Sequence, residues 1–211
     1  MKVIGCTGQL AFGKDVLCDH LVKKLNEYDP VWQRTAFANA VKEIFETSFG
    51  VDREFTEGWK RNPDAPPGFL MTVRKSLQFI GDGFRQIQSN IWIDIALRDE
   101  SKKIVISDSR YINEAKAIKA KGGTMIVLYR PGFMNDDPNP SESQIKPIIE
   151  FCLKNLQEGP IPSYETLKEK YQDVPEGIQF YDYFIINGGS LGDLYLKVDE
   201  KLTPFIKERH A

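Results

Sequence analysis

The run Gly8-Gln9-Leu10-Ala11-Phe12-Gly13-Lys14-Asp15 limits what this chain can fold into more than any other stretch of it. A short apolar segment, Val3-Ile4-Gly5-Cys6, leads into it and reads as a buried parallel strand. Behind it, Val16, Leu17, His20, Leu21 and Leu25 recur at helical spacing. Strand, glycine-bounded loop and helix is the context in which G-x-x-x-x-G-K carries meaning. Glycines let the backbone curl until successive N–H groups face phosphate oxygens, and the new helix presents its positive end. Lys14 then adds a mobile cation for the β and γ phosphates of a nucleotide. The residues expected to hold ATP are Gly8, Phe12, Gly13, Lys14, Asp15 and Val16.

One position departs from the pattern. Asp15 stands where Ser or Thr usually lends a hydroxyl to Mg²⁺. A carboxylate beside a triphosphate is repelled unless a cation lies between them. Either Asp15 ligates Mg²⁺, directly or through water, or the motif has decayed and binds no nucleotide. The plain alternative for the whole stretch is a glycine-rich turn followed by a solvated lysine.

Lys plus Arg number 28 against 30 Asp plus Glu, a formal net charge of -2. That balance gives no general footprint for a nucleic acid polymer or an anionic membrane, while leaving room for a local phosphate pocket. At 211 residues the chain can bury one sizeable core, with or without an appended lid. Its three cysteines, at 6, 18 and 152, lack C-x-x-C spacing and make an odd total, so buried structural thiols are expected rather than disulfides or zinc. No signal-like start and no apolar run near 18 residues point to the cytoplasm.

Along the chain, residues 31–37 suggest a second strand, and Asn39 the cap of a helix reaching Phe49, stopped by Gly50. Residues 52–68 read as a surface excursion whose Phe55 and Trp59 either stack on a base or, the favoured reading, pack on their own loop. Residues 70–97 form one or two helices, with Gly81 and Gly83 as the expected break; Arg74 and Gln78 share a face, and Arg85 opens the next set of turns. A strand over 103–107 ends in Asp108-Ser109-Arg110, a helix over 114–121 follows, and a strand over 124–129 ends before Arg130. The βαβ alternation predicts a parallel sheet with helices on both faces, ligands lying beyond the carboxyl ends of the strands. Asp108, Arg110 and Arg130 all fall at such ends, on the side of the phosphate loop. An acidic residue there suits Mg²⁺ and a planar guanidinium suits phosphate oxygens. His20, inside the first helix, and His210 read as structural.

Several of these segments carry a family resemblance: Gly13-Lys14-Asp15; Phe37-Ala38-Asn39-Ala40-Val41-Lys42; Arg74-Lys75-Ser76-Leu77-Gln78-Phe79-Ile80-Gly81; Asp108-Ser109-Arg110 with Glu114-Ala115 and Arg130-Pro131-Gly132; and Phe184 to Leu191 with its Asn-x-Gly-Ser turn. In these the chain resembles bacteriophage deoxynucleoside monophosphate kinases, within the P-loop nucleoside monophosphate kinase group. That family also carries Asp after the loop lysine, which weakens the reading of Asp15 as decay. Two departures stand out. Asn139-Pro140-Ser141-Glu142 occupies the place of a His-x-Ser-Glu-like segment, so no histidine role transfers, and residues 144–182 are longer than the family needs, with helical apolar spacing at 148–156 and a second helix over 164–171.

The resemblance implies a three-layer α/β/α P-loop kinase fold, 1–211 as one domain, with a mostly parallel sheet and a helical lid and insert at 131–182. It implies an acceptor-monophosphate region at 38–100. The implied reaction is transfer of the ATP γ-phosphoryl group to a (deoxy)nucleoside monophosphate. Lys14, Arg110 and Arg130 would be catalytic, and Asp15 and Asp108 would hold Mg²⁺. Lys42, Arg74, Gln78, Arg85, Asp108 and Arg110 would bind the acceptor, Gln78 reading its base. If phage-encoded, the protein would work in the host cytoplasm; a homodimer stays open. Two other functions fit less of the chain: a P-loop kinase of another small phosphorylated metabolite, since Gly-Lys-Asp also marks phosphomevalonate-type kinases, and a non-enzymatic ATP-binding switch.

Overall fold

A computed structural model of the chain describes residues 1–133 and 143–210. In order run β1 (Lys2–Thr7), α1 (Lys14–Asn26), β2 (Trp32–Thr35), α2 (Ala38–Phe49), α3 (Arg53–Trp59), α4 (Val73–Ile87), α5 (Ile91–Ala96), β3 (Lys103–Ser109), α6 (Ile112–Ala120) and β4 (Thr124–Tyr129). Then come α7 (Lys146–Asn155), β5 (Gly159–Pro160), α8 (Tyr164–Lys170), a 3-10 turn (Glu176–Phe180), β6 (Tyr183–Ile186), α9 (Leu191–Lys197), a π turn (Val198–Leu202) and α10 (Thr203–His210). The chain forms two compact units, one of Met1–Thr35 with Asp99–Ala211 and one of Ala36–Arg98.

The first unit holds a six-stranded sheet in the order β2-β3-β1-β4-β6-β5. All neighbours pair parallel except β5, which adds an antiparallel edge to β6. The connection β1-α1-β2 steps over β3 in one direction, and β3-α6-β4 steps over β1 in the other. Right-handed crossovers therefore put α1 and α6 on opposite faces, which gives three layers, α/β/α. Val3, Ile4 and Cys6 of β1, Val105 and Ile106 of β3, and the run from Met125 to Leu128 are fully buried, as strands covered on both faces must be. Cys6, Cys18 and Cys152 are all buried free thiols, in line with the sequence.

The insert after β4 has a definite place. Ile148, Ile149, Phe151 and Cys152 of α7 face the core. Beyond it, β5 pairs with β6, and Glu158 accepts from the Ile186 N–H (3.2 Å) and binds Lys197 Nζ (2.9 Å). The insert thus closes the sheet edge that β6 would otherwise expose.

The second unit is helical. Val41 and Phe45 of α2 and Val73 and Leu77 of α4 are buried, as are Trp92 and Ile93 of α5. Phe45, Phe49, Phe55 and Phe69 form a ring cluster with centroids 4.8–6.0 Å apart, and Trp59 joins Phe55 at 6.1 Å. The aromatics of 52–68 do pack locally, but the segment is more than a loop: Asp52 accepts from the Phe55 N–H (2.8 Å) and starts α3.

Strand β2 and helix α6 differ from expectation by one or two residues at their ends, and three further differences lie in α2, β3 and α4. The Ala36 carbonyl accepts from Asn39 N (3.1 Å), so α2 already runs from Ala38 and Asn39 lies inside it rather than capping it. β3 continues through Asp108 to Ser109 instead of stopping at Ser107. Helix α4 passes through Gly81 and Gly83 unbroken, and the chain turns only at 88–90. At Gly81 the helix is held by a tertiary contact, the Trp92 indole donating to its carbonyl (3.0 Å).

Candidate active site

The phosphate loop is shaped where β1 stops. Gly8 has φ 153°, and a Cβ there would sit 2.5 Å from the Leu128 carbonyl oxygen of β4. Ala11 takes φ 66°, and Gly13, at φ 94°, is the residue on which α1 starts. These positive φ values bend the chain back toward the sheet. Phe12 is fully buried, edge-on to Tyr129 at 5.6 Å, so its side chain anchors the loop while its backbone faces the turn.

Lys14 is 8% exposed, its ammonium donating to the carbonyls of Gly8 (2.7 Å) and Gln9 (2.7 Å). The cation is stitched to the inner rim of the loop, where phosphate oxygens would arrive. Val16 lies one turn into α1 and is partly exposed.

Asp15 is held differently. Its Oδ1 accepts from Arg34 Nη1 (2.6 Å) and from Ser107 Oγ (2.8 Å), with the side chain 71% exposed. Arg34 also binds Asp19, one helical turn on, through Nε (2.7 Å). Neither Arg34 nor Ser107 was among the sequence candidates. The signal for Arg34 was an acid pair at i and i+4 on α1, followed by one arginine in the next strand.

At the strand ends, Asp108 is half-buried within β3. The N–H groups of Arg110 (2.7 Å) and Tyr111 (3.1 Å) both donate to Glu114 Oε2, a capping box that fixes Arg110 at the head of α6. Arg130 follows β4 directly; its Nη1 donates to the Ala11 carbonyl (3.3 Å), and the guanidinium lies 4.2 Å over the Phe133 ring. Asn187, after β6, donates to the Phe12 carbonyl (2.9 Å) through its amide and to the Tyr129 carbonyl (2.7 Å) through its backbone. So the structure gathers Gly8 to Val16, Asp108, Arg110 and Arg130 at one end of the parallel sheet, as that end's position in the strands requires. The segment Asn139-Pro140-Ser141-Glu142 lies outside the described residues.

Both histidines have structural partners: His20 Nε2 meets Asp199 at 2.7 Å and stacks on Tyr195 at 4.0 Å, and His210 Nε2 meets Thr124 Oγ1 at 3.0 Å. The Tyr181 phenol is pushed up by burial and by the Glu114 carboxylate.

The donor set fits Mg²⁺. Asp15 and Asp108 offer hard oxygens, and Asp15 is exposed with one oxygen tied down. Among the described residues no group of three or more metal-ligating side chains forms a cage. Mg²⁺ commonly takes one or two carboxylates and completes its shell with water and phosphate.

In the second unit, Arg74, Gln78, Gly81 and Arg85 form one stripe of α4, at i, i+4, i+7 and i+11. Thr72 caps that helix, accepting from Lys75 N (3.2 Å), and Arg85 Nη1 contacts Asp82 (3.2 Å). Lys42 of α2 is ion-paired with Glu57 of α3. Burial alone would push the Glu57 carboxyl up; Lys42, with Lys60 and Arg53, outweighs it and holds the group below its usual range.

A lysine-bearing phosphate loop at the head of a parallel α/β/α sheet, with acidic and guanidinium groups at the neighbouring strand ends, defines a P-loop kinase. No family model matches the chain. It is 30% identical over 193 residues to an Acanthamoeba polyphaga mimivirus protein provisionally named deoxynucleotide monophosphate kinase, covering 82% of this chain and 94% of that protein. The chain belongs to the same family, the nucleoside monophosphate kinase type of P-loop kinase. Among solved structures it is similar to dephospho-CoA kinase from Campylobacter jejuni (TM-score 0.44, 15% identity, 99% of each chain covered). Shikimate kinase from Aquifex aeolicus is another such neighbour (TM-score 0.38, 14% identity, 100% and 99% covered). No helix among the described residues is long and apolar enough to cross a membrane.

Proposed function

We propose that the protein transfers the γ-phosphoryl group of ATP to a (deoxy)nucleoside monophosphate, yielding the diphosphate and ADP. The observation that carries this reading is the Arg74–Gln78–Arg85 stripe: two guanidiniums and an amide on one helix face suit an acceptor that presents a phosphate and a base. The 30% identity to a protein named for that reaction supports it.

A monophosphate offers an anionic oxygen at neutral pH, so the reaction needs no strong general base. It needs alignment and charge neutralisation. Lys14 and the amides of residues 8–15 hold the β and γ phosphates. Asp15 and Asp108 are the groups that would hold Mg²⁺, which would supply charge neutralisation at the phosphate oxygens. Arg130, already directed at the loop, balances charge on the transferring group, and Arg110 faces the oxygens shared by donor and acceptor. Arg74, Arg85 and Lys42 take the acceptor phosphate, and Gln78 reads the base through its amide.

A coupled ADP-release assay across the deoxy- and ribonucleoside monophosphates tests this. ADP release that requires one of these acceptors is the expected result. Slow release at an equal rate with and without any acceptor overturns the reading.

A further inference from the structure

The aspartate after the loop lysine poses an electrostatic problem that the first unit itself addresses. Arg34, on edge strand β2, reaches across α1 and binds two carboxylates through two different nitrogens: Asp15 through Nη1 (2.6 Å) and Asp19 through Nε (2.7 Å). Ser107, near the end of β3, donates to the same Asp15 oxygen (2.8 Å) that Arg34 holds. Two donors from two strands thus meet on Oδ1, which fixes the rotation of the carboxylate. The side chain is nonetheless 71% exposed, so the carboxylate remains accessible to a cation. An unrestrained aspartate at this site would sample several rotamers and would repel an incoming triphosphate. A guanidinium on one oxygen offsets part of that charge and freezes the orientation, so less ordering remains to be done when a cation binds.

We infer that Arg34 and Ser107 form a socket that presents Asp15 to the metal of a metal–nucleotide complex, Arg34 being a positioning residue that acts through Asp15. The inference rests on the nucleotide-binding part of the proposed function. It adds two residues and explains why a carboxylate is tolerated where a hydroxyl is usual. The chain supplies its own cation to Asp15 and leaves the carboxylate accessible to Mg²⁺.

The test is calorimetric and needs no turnover. ADP binding is titrated with and without Mg²⁺ for wild type, Arg34→Gln, Asp15→Asn and the double variant, with Tm recorded for each. Arg34→Gln should weaken Mg-ADP binding about five- to tenfold, the scale of one charge-assisted hydrogen bond at an exposed site. It should weaken metal-free ADP binding by a clearly smaller factor, through the Asp15 charge that Arg34 no longer offsets, and it should add nothing in the Asp15→Asn background. Arg34→Lys, which keeps the charge but loses the fork, should recover part of the loss. Ser107→Ala offers a second probe that leaves the Arg34–Asp19 pair in place, and it should show the same metal-selective loss at smaller size. The inference fails alone if wild type binds Mg-ADP and Arg34→Gln binds it equally well. It also fails alone if Arg34→Gln weakens both forms of ADP by one factor, which would make Arg34 a direct phosphate contact. If wild type binds neither form, the nucleotide-binding reading falls and takes this inference with it.

Discussion

The side-chain amide of Asn187 donates to the carbonyl of Phe12 at 2.9 Å, tying the end of the last parallel strand to the crown of the phosphate loop. Its own backbone is tied to Tyr129 at the end of β4 (2.7 Å), and Phe12 packs edge-on against that same tyrosine. Loop, β4 and β6 are therefore locked as one rigid corner. The lock also explains Gly13, where a Cβ would meet Asn187 Nδ2 at 2.8 Å.

Replacing Asn187 by Leu keeps the volume and removes the donor. The Phe12 carbonyl then loses its side-chain partner, and the loop samples conformations that do not bind phosphate. The KM for ATP should rise about tenfold, the equivalent of one hydrogen bond, while the KM for the acceptor changes little. Gly13→Ala should reproduce the defect by pushing on the same amide, with an added loss of stability from its positive φ. Initial-rate kinetics with each substrate varied in turn checks both.

Lys14→Met preserves the aliphatic stem and deletes the ammonium that bonds Gly8 and Gln9. If that cation neutralises the transferring phosphoryl group, kcat should fall about 100- to 1,000-fold, as when one preorganised donor to a developing charge is removed. Circular dichroism and Tm of the variant establish that the fold survives. A loss smaller than tenfold would remove Lys14 from the catalytic set.

The covered sheet edge makes a prediction about stability. Glu158→Ala strips the Ile186 N–H of its acceptor and Lys197 of its carboxylate, leaving Lys197 only the Ile186 carbonyl (2.7 Å). The cost should be about 1–3 kcal/mol, a fall in Tm of roughly 3–10 °C for a chain of this size. Glu158→Gln keeps an acceptor oxygen and should lose less. Thermal unfolding followed by circular dichroism measures both.

The thiols give a chemical readout of the same core. Burial pushes Cys152 up to about 12 and, together with the neighbouring Cys6, pushes Cys18 well above its ordinary value. Thiolate is the reactive form and Cys6, Cys18 and Cys152 are all shut off from solvent, so the three should resist a chromogenic disulfide reagent at pH 8 in the native protein. Three equivalents should react at once in denaturant. One fast equivalent in native buffer would mean that a core segment opens locally.

What the sequence made legible follows from the range of the interactions involved. The phosphate loop and strands β1, β3 and β4 were readable because a strand buried on both faces is an unbroken apolar run, and because the loop's glycines serve local geometry. Strand β4 was placed to the residue, Thr124 to Tyr129. Gly81 misled because a glycine's helix penalty is small enough for tertiary contacts to override, and the Trp92 indole that bonds its carbonyl lies on the next helix. Helix α3 was hidden by its brevity and by the prolines that follow it. Arg34 looked like an interruption of a strand, since both its partners, Asp15 and Asp19, sit on the preceding helix and meet it only once β2 is laid into the sheet. Asn187 was visible only as part of a turn, and its contact with Phe12 spans 175 residues.

The acceptor stripe on α4 carries the last prediction. Arg74 and Gln78 are exposed on the face that also bears Arg85, and Arg85 Nη1 contacts the neighbouring exposed Asp82. None of these three side chains is part of the buried packing of Val73, Leu77 and Gly81, so shortening them should leave Tm nearly unchanged. If Arg74 and Arg85 hold the acceptor phosphate, Arg74→Met and Arg85→Met should each lower kcat/KM for the monophosphate roughly 10- to 100-fold, with KM for ATP unaffected. Gln78→Leu should act on the base instead, compressing the ratio of kcat/KM between the best and worst monophosphates, because a site built to hydrogen-bond one base discriminates most strongly through the groups it would leave unpaired with another. Steady-state kinetics over a panel of monophosphates separates the two effects. Equal losses for all three variants on ATP and acceptor alike would show that the stripe supports the fold rather than the substrate.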